Sequence, residues 1–323
     1  METIQQTLEN VEKTLSTPSY IAGAILSREN LDGFVHRLKL KDTPIRNRLP
    51  RKTGSGLAAS WNVMTAMGVG NSPFAEGATP TEDANTYVRR SAVYKELGKT
   101  KSITDRMLAA GKSFIDLETE YTEVAIREVV QDEEQLIVTG DSVASALQFN
   151  GLRTLITTNV IDDNNNALGF RTDLLEQGIV QLLTNFGVRP NVIYTGFGMK
   201  RAINQSLSGD VRVNLDQTNG VGTGVDVTFY QSMIGALPFV ISFAIAADAV
   251  TYVATGDTVE DIYVLTENHM GQDVIYLEDL YGLGKSMLDR TGAAIKFMVT
   301  ECTVLVMRAE EFQVRFANVR TNI

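Results

Sequence analysis

Residues Phe114–Gly140 read FIDLETEYTEVAIREVVQDEEQLIVTG, with no proline and no glycine before the last position. At 3.6 residues per turn the stretch predicts one helix over about 114–139, longer than the ~11–12 residues of an ordinary globular helix. Phe114, Leu117, Tyr121 and Val124 mark one face. Ile126, Val129, Val130 and Ile137 drift onto a second, so the helix is expected to touch more than one surface. Gly140 stands where helices commonly end in a left-handed residue. Upstream, Leu57–Met67 (LAASWNVMTAM) and Thr86–Leu97 (TYVRRSAVYKEL) read as two strands. The tip between them, GVGNSPFAEGATPTEDAN (68–85), is dense in turn-forming residues. An isolated two-stranded hairpin is marginal in water. A long hairpin feeding a long acidic helix therefore predicts a chain that is finished only in an assembly.

Charge is segregated along the chain. Arg37, Lys39, Lys41, Arg46, Arg48, Arg51 and Lys52 are opposed only by Asp42, giving a basic arm. Asp116, Glu118, Glu120, Glu123, Glu128, Asp132, Glu133 and Glu134 are opposed only by Arg127, giving an acidic rod. Two readings stay open: solvated faces, or an arm and a rod that meet within or between subunits. The net charge of −10 argues against sequence-reading contact with nucleic acid, which needs clustered cations. No window approaches the ~20 apolar residues of a membrane-spanning helix, and the start METIQQTLENVEKTL lacks the pattern of a secretory signal. The single cysteine, Cys302, leaves no internal disulfide and fits synthesis in a reducing compartment.

Ile4, Leu8, Val11 and Leu15 predict a short amphipathic helix in residues 1–20. Residues 28–55, polar, basic and broken by Pro44 and Pro50, predict an extended arm lying on another surface. Ile103–Ala110 predicts a short helix. Beyond Gly140 come a strand at Leu152–Val160, helices at Thr172–Phe186 and Gly198–Leu207, and strands at Asn191–Thr195, Val225–Tyr230, Phe239–Phe243, Ala249–Val253 and Asp261–Leu265. This is a compact mixed unit over about 150–260. Three further strands follow, Ala293–Met298, Cys302–Met307 and Phe312–Val319.

Chemistry-bearing constellations are sparse. His269 near Glu267, Asn268 and Asp273 reads as a structural loop group rather than a metal site, and no HExxH or GxSxG occurs. The Gly-rich run Asn219–Gly224 lacks the Lys-Ser/Thr of a phosphate-binding loop, and Asp162–Asn166 lacks the closing Glu of a calcium loop. Cys302, in an apolar strand, reads as inert. No catalytic residue, cofactor or metal is expected.

The order of parts resembles the tailed-bacteriophage major capsid proteins of the HK97-like fold. The stretches that carry the resemblance are TPIRNRLPRKTGSGLAASW (43–61), FAEGATP (74–80), DEEQLIVTGDS (132–142) running into FNGLRTLI (149–156), and TECTVLVMRAEEFQVRFANV (300–319). It implies an α+β fold with an N-terminal arm (1–55), an extended β-hairpin E-loop (56–101), a P-domain (102–149 and 261–323) with its spine helix at about 114–139, and an A-domain (150–260). It implies a structural, non-enzymatic protein that forms pentamers and hexamers of an icosahedral shell around double-stranded DNA. The virion is its location, with assembly in the host cytoplasm. Its implied partners are itself, a portal, scaffolding or decoration proteins and non-specifically held DNA, with no membrane. The inter-subunit residues expected on this reading are Arg46, Arg48, Arg51 and Lys52 of the arm, Trp61, Val63, Val93 and Tyr94 of the hairpin, and Glu120, Glu123 and Glu128 of the helix. The founding member's covalent cross-link needs an E-loop lysine. The tip here has none, since Lys95, Lys99 and Lys101 lie at the loop's base. An encapsulin-like nanocompartment shell is the alternative within the same fold. A soluble α/β enzyme using the Asn219–Gly224 loop and a tail or baseplate protein are the alternatives outside a shell.

Overall fold

The computed structural model describes residues 41–68, 73–80, 82–112, 116–162, 170, 172–208, 227–246, 258–290 and 292–321. The expected helix of residues 1–20, the strand Ala249–Val253 and the Asn219–Gly224 loop lie outside them, as does most of the Asp162–Asn166 run. One half of the fold is a four-stranded sheet. Strands β1 (Arg51–Thr53), β4 (Lys95–Thr104), β12 (Ile275–Leu288) and β13 (Ala294–Met307) lie in the order β1-β12-β13-β4. β13 is one 14-residue strand where two were expected. Thr300 and Glu301 read as a break, but Glu301 is accepted in the interior by a charge cluster described below.

Helix α3 (Leu117–Thr139), with 23 residues, lies across this sheet. Asp116 caps it by accepting from the Glu118 N–H at 3.2 Å, and acidic residues in the first turn suit the positive end of the helix dipole. Ala125 and Val129 pack on Ile103, Phe297 and Val299 of the sheet. Ile137 and Val138 enter the main core with Ile45, Leu152 and Ile156. Strand β4 turns alternate residues toward the helix. Lys99 reaches Asp132 at 2.6 Å and Lys101 reaches Glu128 at 2.7 Å. The returning strand expected at Thr86–Leu97 is thus two strands: β3 (Thr86–Val93) belongs to the hairpin, β4 to the sheet. The helix expected from Ile103 starts two residues later, as α2 (Asp105–Gly111), because Ile103 and Thr104 still pair in β4 and Thr104 caps the helix.

Gly140 ends the long helix, but with φ −56° and ψ 137° it is not left-handed. Its glycine is needed for space. A Cβ there would lie 2.6 Å from the Leu136 carbonyl oxygen. Gly151 donates to the Gly140 carbonyl at 2.9 Å, so two side-chain-free residues close the 141–150 loop against the helix end. The strand expected at Leu152–Val160 is instead helix α4 (Leu152–Leu155) followed by β5 (Val160–Asp162). Helical bonds from Leu155 to Gly151 and from Ile156 to Leu152 outcompete the β tendency of the threonines. Thr157 and Thr158 spend their N–H and hydroxyl groups on the Glu310 carboxylate.

The other half is a six-stranded sheet, ordered β5-β14-β9-β6-β8-β7, from β6 (Val192–Thr195), β7 (Phe229–Ser232), β8 (Gly235–Ile241), β9 (Val259–Leu265) and β14 (Val314–Arg320). Helices α5 (Thr172–Phe186) and α6 (Phe197–Ser208) bury Leu175, Ile179, Leu182 and Ile203 against Ile262, Val264, Val314 and Phe316. The sequence boundary at 260/261 cuts β9, and β14 pairs with it. The C-terminal strand therefore belongs with this sheet, not with the four-stranded one. Strand pairing between distant segments leaves no local signal for such a boundary.

Strands β2 (Ala58–Ala66) and β3 form a sheet of their own, in antiparallel register from Ala58↔Val93 to Ala66↔Thr86. Short strands β10 (Asn268–His269) and β11 (Gln272–Asp273) make a second small hairpin.

Candidate functional site

Of the basic arm, residues 28–40 with Arg37 and Lys39 lie outside the described residues, and the described part is not extended throughout but is built into its own chain. Pro44–Arg48 forms the short helix α1, whose Ile45 is wholly buried, and β1 pairs in parallel with Leu277–Asp279. The reason is charge. Glu134 of the long helix accepts from the N–H groups of Ile45 (3.2 Å) and Arg46 (2.7 Å) and from the Ser242 hydroxyl (2.6 Å). Burial pushes the Glu134 carboxyl above its ordinary range, against these donors. Arg46 and Arg51 both reach the buried Glu133, and Arg51 also holds Asp279 at 2.7 Å. Arg48 pairs with Glu267 at 2.8 Å, which also receives the Tyr194 hydroxyl. Lys52 pairs with Asp273 at 2.8 Å and sits 4.1 Å from the centre of the Tyr276 ring.

Arm and rod therefore meet within one chain. Within the chain, Arg46 and Arg51 meet the rod at Glu133, and Glu128 pairs with Lys101. The sequence signal for this was faint but present. At helical spacing Glu133 and Glu134 fall between Val129 and Val130 on one side and Ile137 and Val138 on the other, and Glu301 is the one acid inside the strand segment Phe297–Met307. A carboxyl group on an otherwise apolar face implies a buried partner. The group around His269 is also spoken for, since Glu267 holds Arg48, Asp273 holds Lys52, and the imidazole packs edge-on to Phe312 at 5.3 Å.

The hairpin divides into an anchored base and an uncovered remainder. Trp61 donates its indole N–H to the Arg308 carbonyl at 3.1 Å and packs on the main core. Arg90 pairs with Glu311. Tyr94 is buried and donates to Glu278, which together with burial raises the phenol far above its ordinary value. Of the four hairpin residues expected between subunits, Trp61 and Tyr94 are thus engaged by their own chain. Val63 is half-buried and Val93 is 56% exposed. Leu57, at the body end beside the Ala58–Val93 pair, is exposed too, and outward from the Trp61–Arg90 pair so are Met64, Met67, Phe74, Tyr87 and Val88. Two grooves flank the base. One of about 650 Å³ lies between Trp61, Ala92, Phe149 and Leu305, and one of about 620 Å³ between Val63, His269, Arg308 and Phe312. Apolar area of this extent on a surface hairpin is the pattern of protein–protein contact sites.

The family profile described as SU10 major capsid protein matches residues 5–320. No curated relative matches the sequence. Among solved structures, the capsid of cyanophage A-1(L) aligns with TM-score 0.70 and 14% identity over 95% of this chain and 99% of that one. The holo-SrpI encapsulin complex of Synechococcus elongatus PCC 7942 aligns with TM-score 0.66 and 11% identity over 94% and 96%. The capsid of a native GTA particle gives 0.64 and 12% over 94% and 99%. At these identities the likeness establishes the HK97-like fold. Joined to the profile match over almost all residues, it means that the chain belongs to the SU10 major capsid protein family and is a structural subunit of a capsid.

Proposed function

We propose that copies of this chain close into pentamers and hexamers of an icosahedral shell around double-stranded DNA. The observation that supports this reading is the hairpin, anchored at Trp61 and Arg90 and apolar beyond them. In the shell the hairpin lies across an adjacent subunit, which covers Leu57, Met64, Tyr87, Val88 and Val93, with Val63 at the edge. At roughly 25 cal/mol per Å² a modest contact becomes large when repeated around a ring. Arm cations committed to Glu133, Glu267 and Asp273 set each subunit's own shape, so the contact between subunits is carried by apolar surface.

On this reading residues 1–55 are the arm, 56–101 the E-loop, 102–149 with β12 and β13 the P-domain, and 150–260 the A-domain, with β9 and β14 completing the A-domain sheet. The shell holds without the covalent cross-link, since the 68–85 tip carries no lysine. The inner wall meets DNA without reading sequence, and an acidic chain limits adhesion so that the genome can leave. Portal, scaffolding and decoration proteins are the other partners. The subunit is assembled in the host cytoplasm and performs no catalysis.

Deleting Gly70–Asn85 tests this. Soluble subunits or aberrant particles under negative-stain microscopy are expected, and normal closed shells would refute it. The likeness to an encapsulin favours one rival, a nanocompartment shell. Particles from the native source that hold an enzyme instead of DNA would establish that rival.

A further inference from the structure

The cluster that ties residues 44–53 to the long helix is unbalanced in charge. Arg46 and Arg51 supply two cations. Glu133 of the long helix, Glu301 of β13 and Asp279 of β12 supply three carboxyl groups. Glu133 accepts from both arginines, and Asp279 accepts from Arg51 through one oxygen. Glu301, wholly buried, is left with Arg46 at 3.7 Å and Arg51 at 4.0 Å, too far for hydrogen bonds. Neither Glu301 oxygen receives a donor. An ionised carboxylate in that position is costly.

The neighbouring titratable groups do not supply the donor. Glu134 is taken by Ile45, Arg46 and Ser242. Asp132 is paired with Lys99 of β4, and Glu278 of β12 holds Tyr94. Glu133 is the carboxyl group that shares both arginines with Glu301, so the two stand on the same pair of guanidinium groups. Two carboxyl groups bond to each other only when one keeps a proton.

We propose that Glu133 and Glu301 share one proton and act as a proton-operated latch, clamping residues 44–53 to the long helix when the proton is held and releasing them when it is lost. With the proton, three acids and two arginines sum to zero; without it, an excess negative charge is confined in the interior. Burial, and then repulsion from Glu133, push the Glu301 carboxyl from the ordinary 4.5 up to about 8, while Arg46 and Arg51 pull it down. The folded value lies above the unfolded one. The latch is therefore complete below about pH 4.5 and is lost as pH rises through about 8.

The test is hydrogen–deuterium exchange of the 44–53 amides in purified particles from pH 6 to 9, normalised for intrinsic exchange. Protection should fall at least tenfold in a step near pH 8. Glu301→Gln, which gives Glu133 a permanent N–H donor, should keep protection to pH 9. Flat wild-type protection, or a step unchanged in Glu301→Gln, would overturn the latch. Should that variant yield no particles, infrared spectroscopy of the wild type decides. A protonated buried carboxyl band must be present at pH 6 and vanish with the same step, and its absence at pH 6 overturns the proposal.

Discussion

Gly151→Ala isolates the closure at the end of the long helix. Gly151 has φ −89° and ψ −176°, which alanine adopts without strain, so any cost must come from space. A Cβ would stand 2.5 Å from the Leu136 oxygen, 2.8 Å from the Gly140 nitrogen and 2.8 Å from the Ile137 oxygen. All three are backbone atoms of a helix end that is itself packed in the main core, so no flexible side chain can give way. Overpacking costs about 1–3 kcal/mol, and a rigid site belongs in the upper half, about 2–3 kcal/mol. An unfolding entropy of roughly 2.1 cal/mol/K per residue over the whole chain converts that into about 3–4 °C of melting temperature. Gly282→Ala is the matched control, with nothing within 4 Å of its Cβ and no left-handed backbone, and should change stability by less than about 1 kcal/mol. Thermal and urea unfolding of the two soluble variants measure the difference. A Gly151→Ala subunit as stable as the Gly282→Ala control would show that the 140/151 closure is not tight.

Three other outcomes follow from the geometry. Ile45→Ala, at a wholly buried arm position, should cost about 2–5 kcal/mol in urea unfolding, as a core truncation does, whereas an arm merely resting on the surface would lose less than about 1 kcal/mol. Burial pushes the Glu310 carboxyl up, but donors from Thr157 and Thr158 outweigh it and hold it below its ordinary range. Its stabilisation is then present above the unfolded value of about 4.5 and lost as pH falls through the lower folded value, so Glu310→Gln should cost about 1–2 kcal/mol at pH 7 and progressively less in acid, read from unfolding curves at several pH values. Phe74→Ser with Tyr87→Ser, at side chains 59% and 66% exposed, should leave subunit stability within about 0.5 kcal/mol yet sharply lower the yield of closed particles in sedimentation velocity.

Periodicity carried the regular elements well, because the long helix and Thr172–Phe186 announce their buried faces locally. The arm was misread for the opposite reason. Pro44, Pro50 and the cations between them describe a solvated segment, and only the distant Glu133, Glu134 and Glu267 turn Ile45 and Leu49 into core residues. Leu152–Val160 failed through competition, its β-branched threonines being used as donors to Glu310 rather than in a ladder. Gly140 was correctly singled out but for the wrong property, since its role rests on the close approach of the Phe149 and Leu136 carbonyls, and the return of the chain at Phe149 has no local pattern. A sequence shows which side chains are apolar, not which of them, like Trp61 and Tyr94, bond within their own chain.

That consumption bears on how a shell can be specified. A subunit whose arm arginines waited for a neighbour's carboxylates would rely on exposed pairs worth about 0–1 kcal/mol each and weakened by salt. Here the arginines pair with the buried Glu133, so the shape of each copy is set before another arrives. Among the described residues, Met64, Tyr87, Val88 and Val93 stand exposed on a two-stranded sheet with a fixed base. Apolar contact is weakly directional, so alone it would permit many arrangements. The Trp61 and Arg90 anchors restrict the direction in which the hairpin leaves the body, and the two grooves at its base restrict what can lie beside it. In the proposed shell, charge inside the subunit and apolar surface outside it would thus divide the work, the first giving geometry and the second giving adhesion.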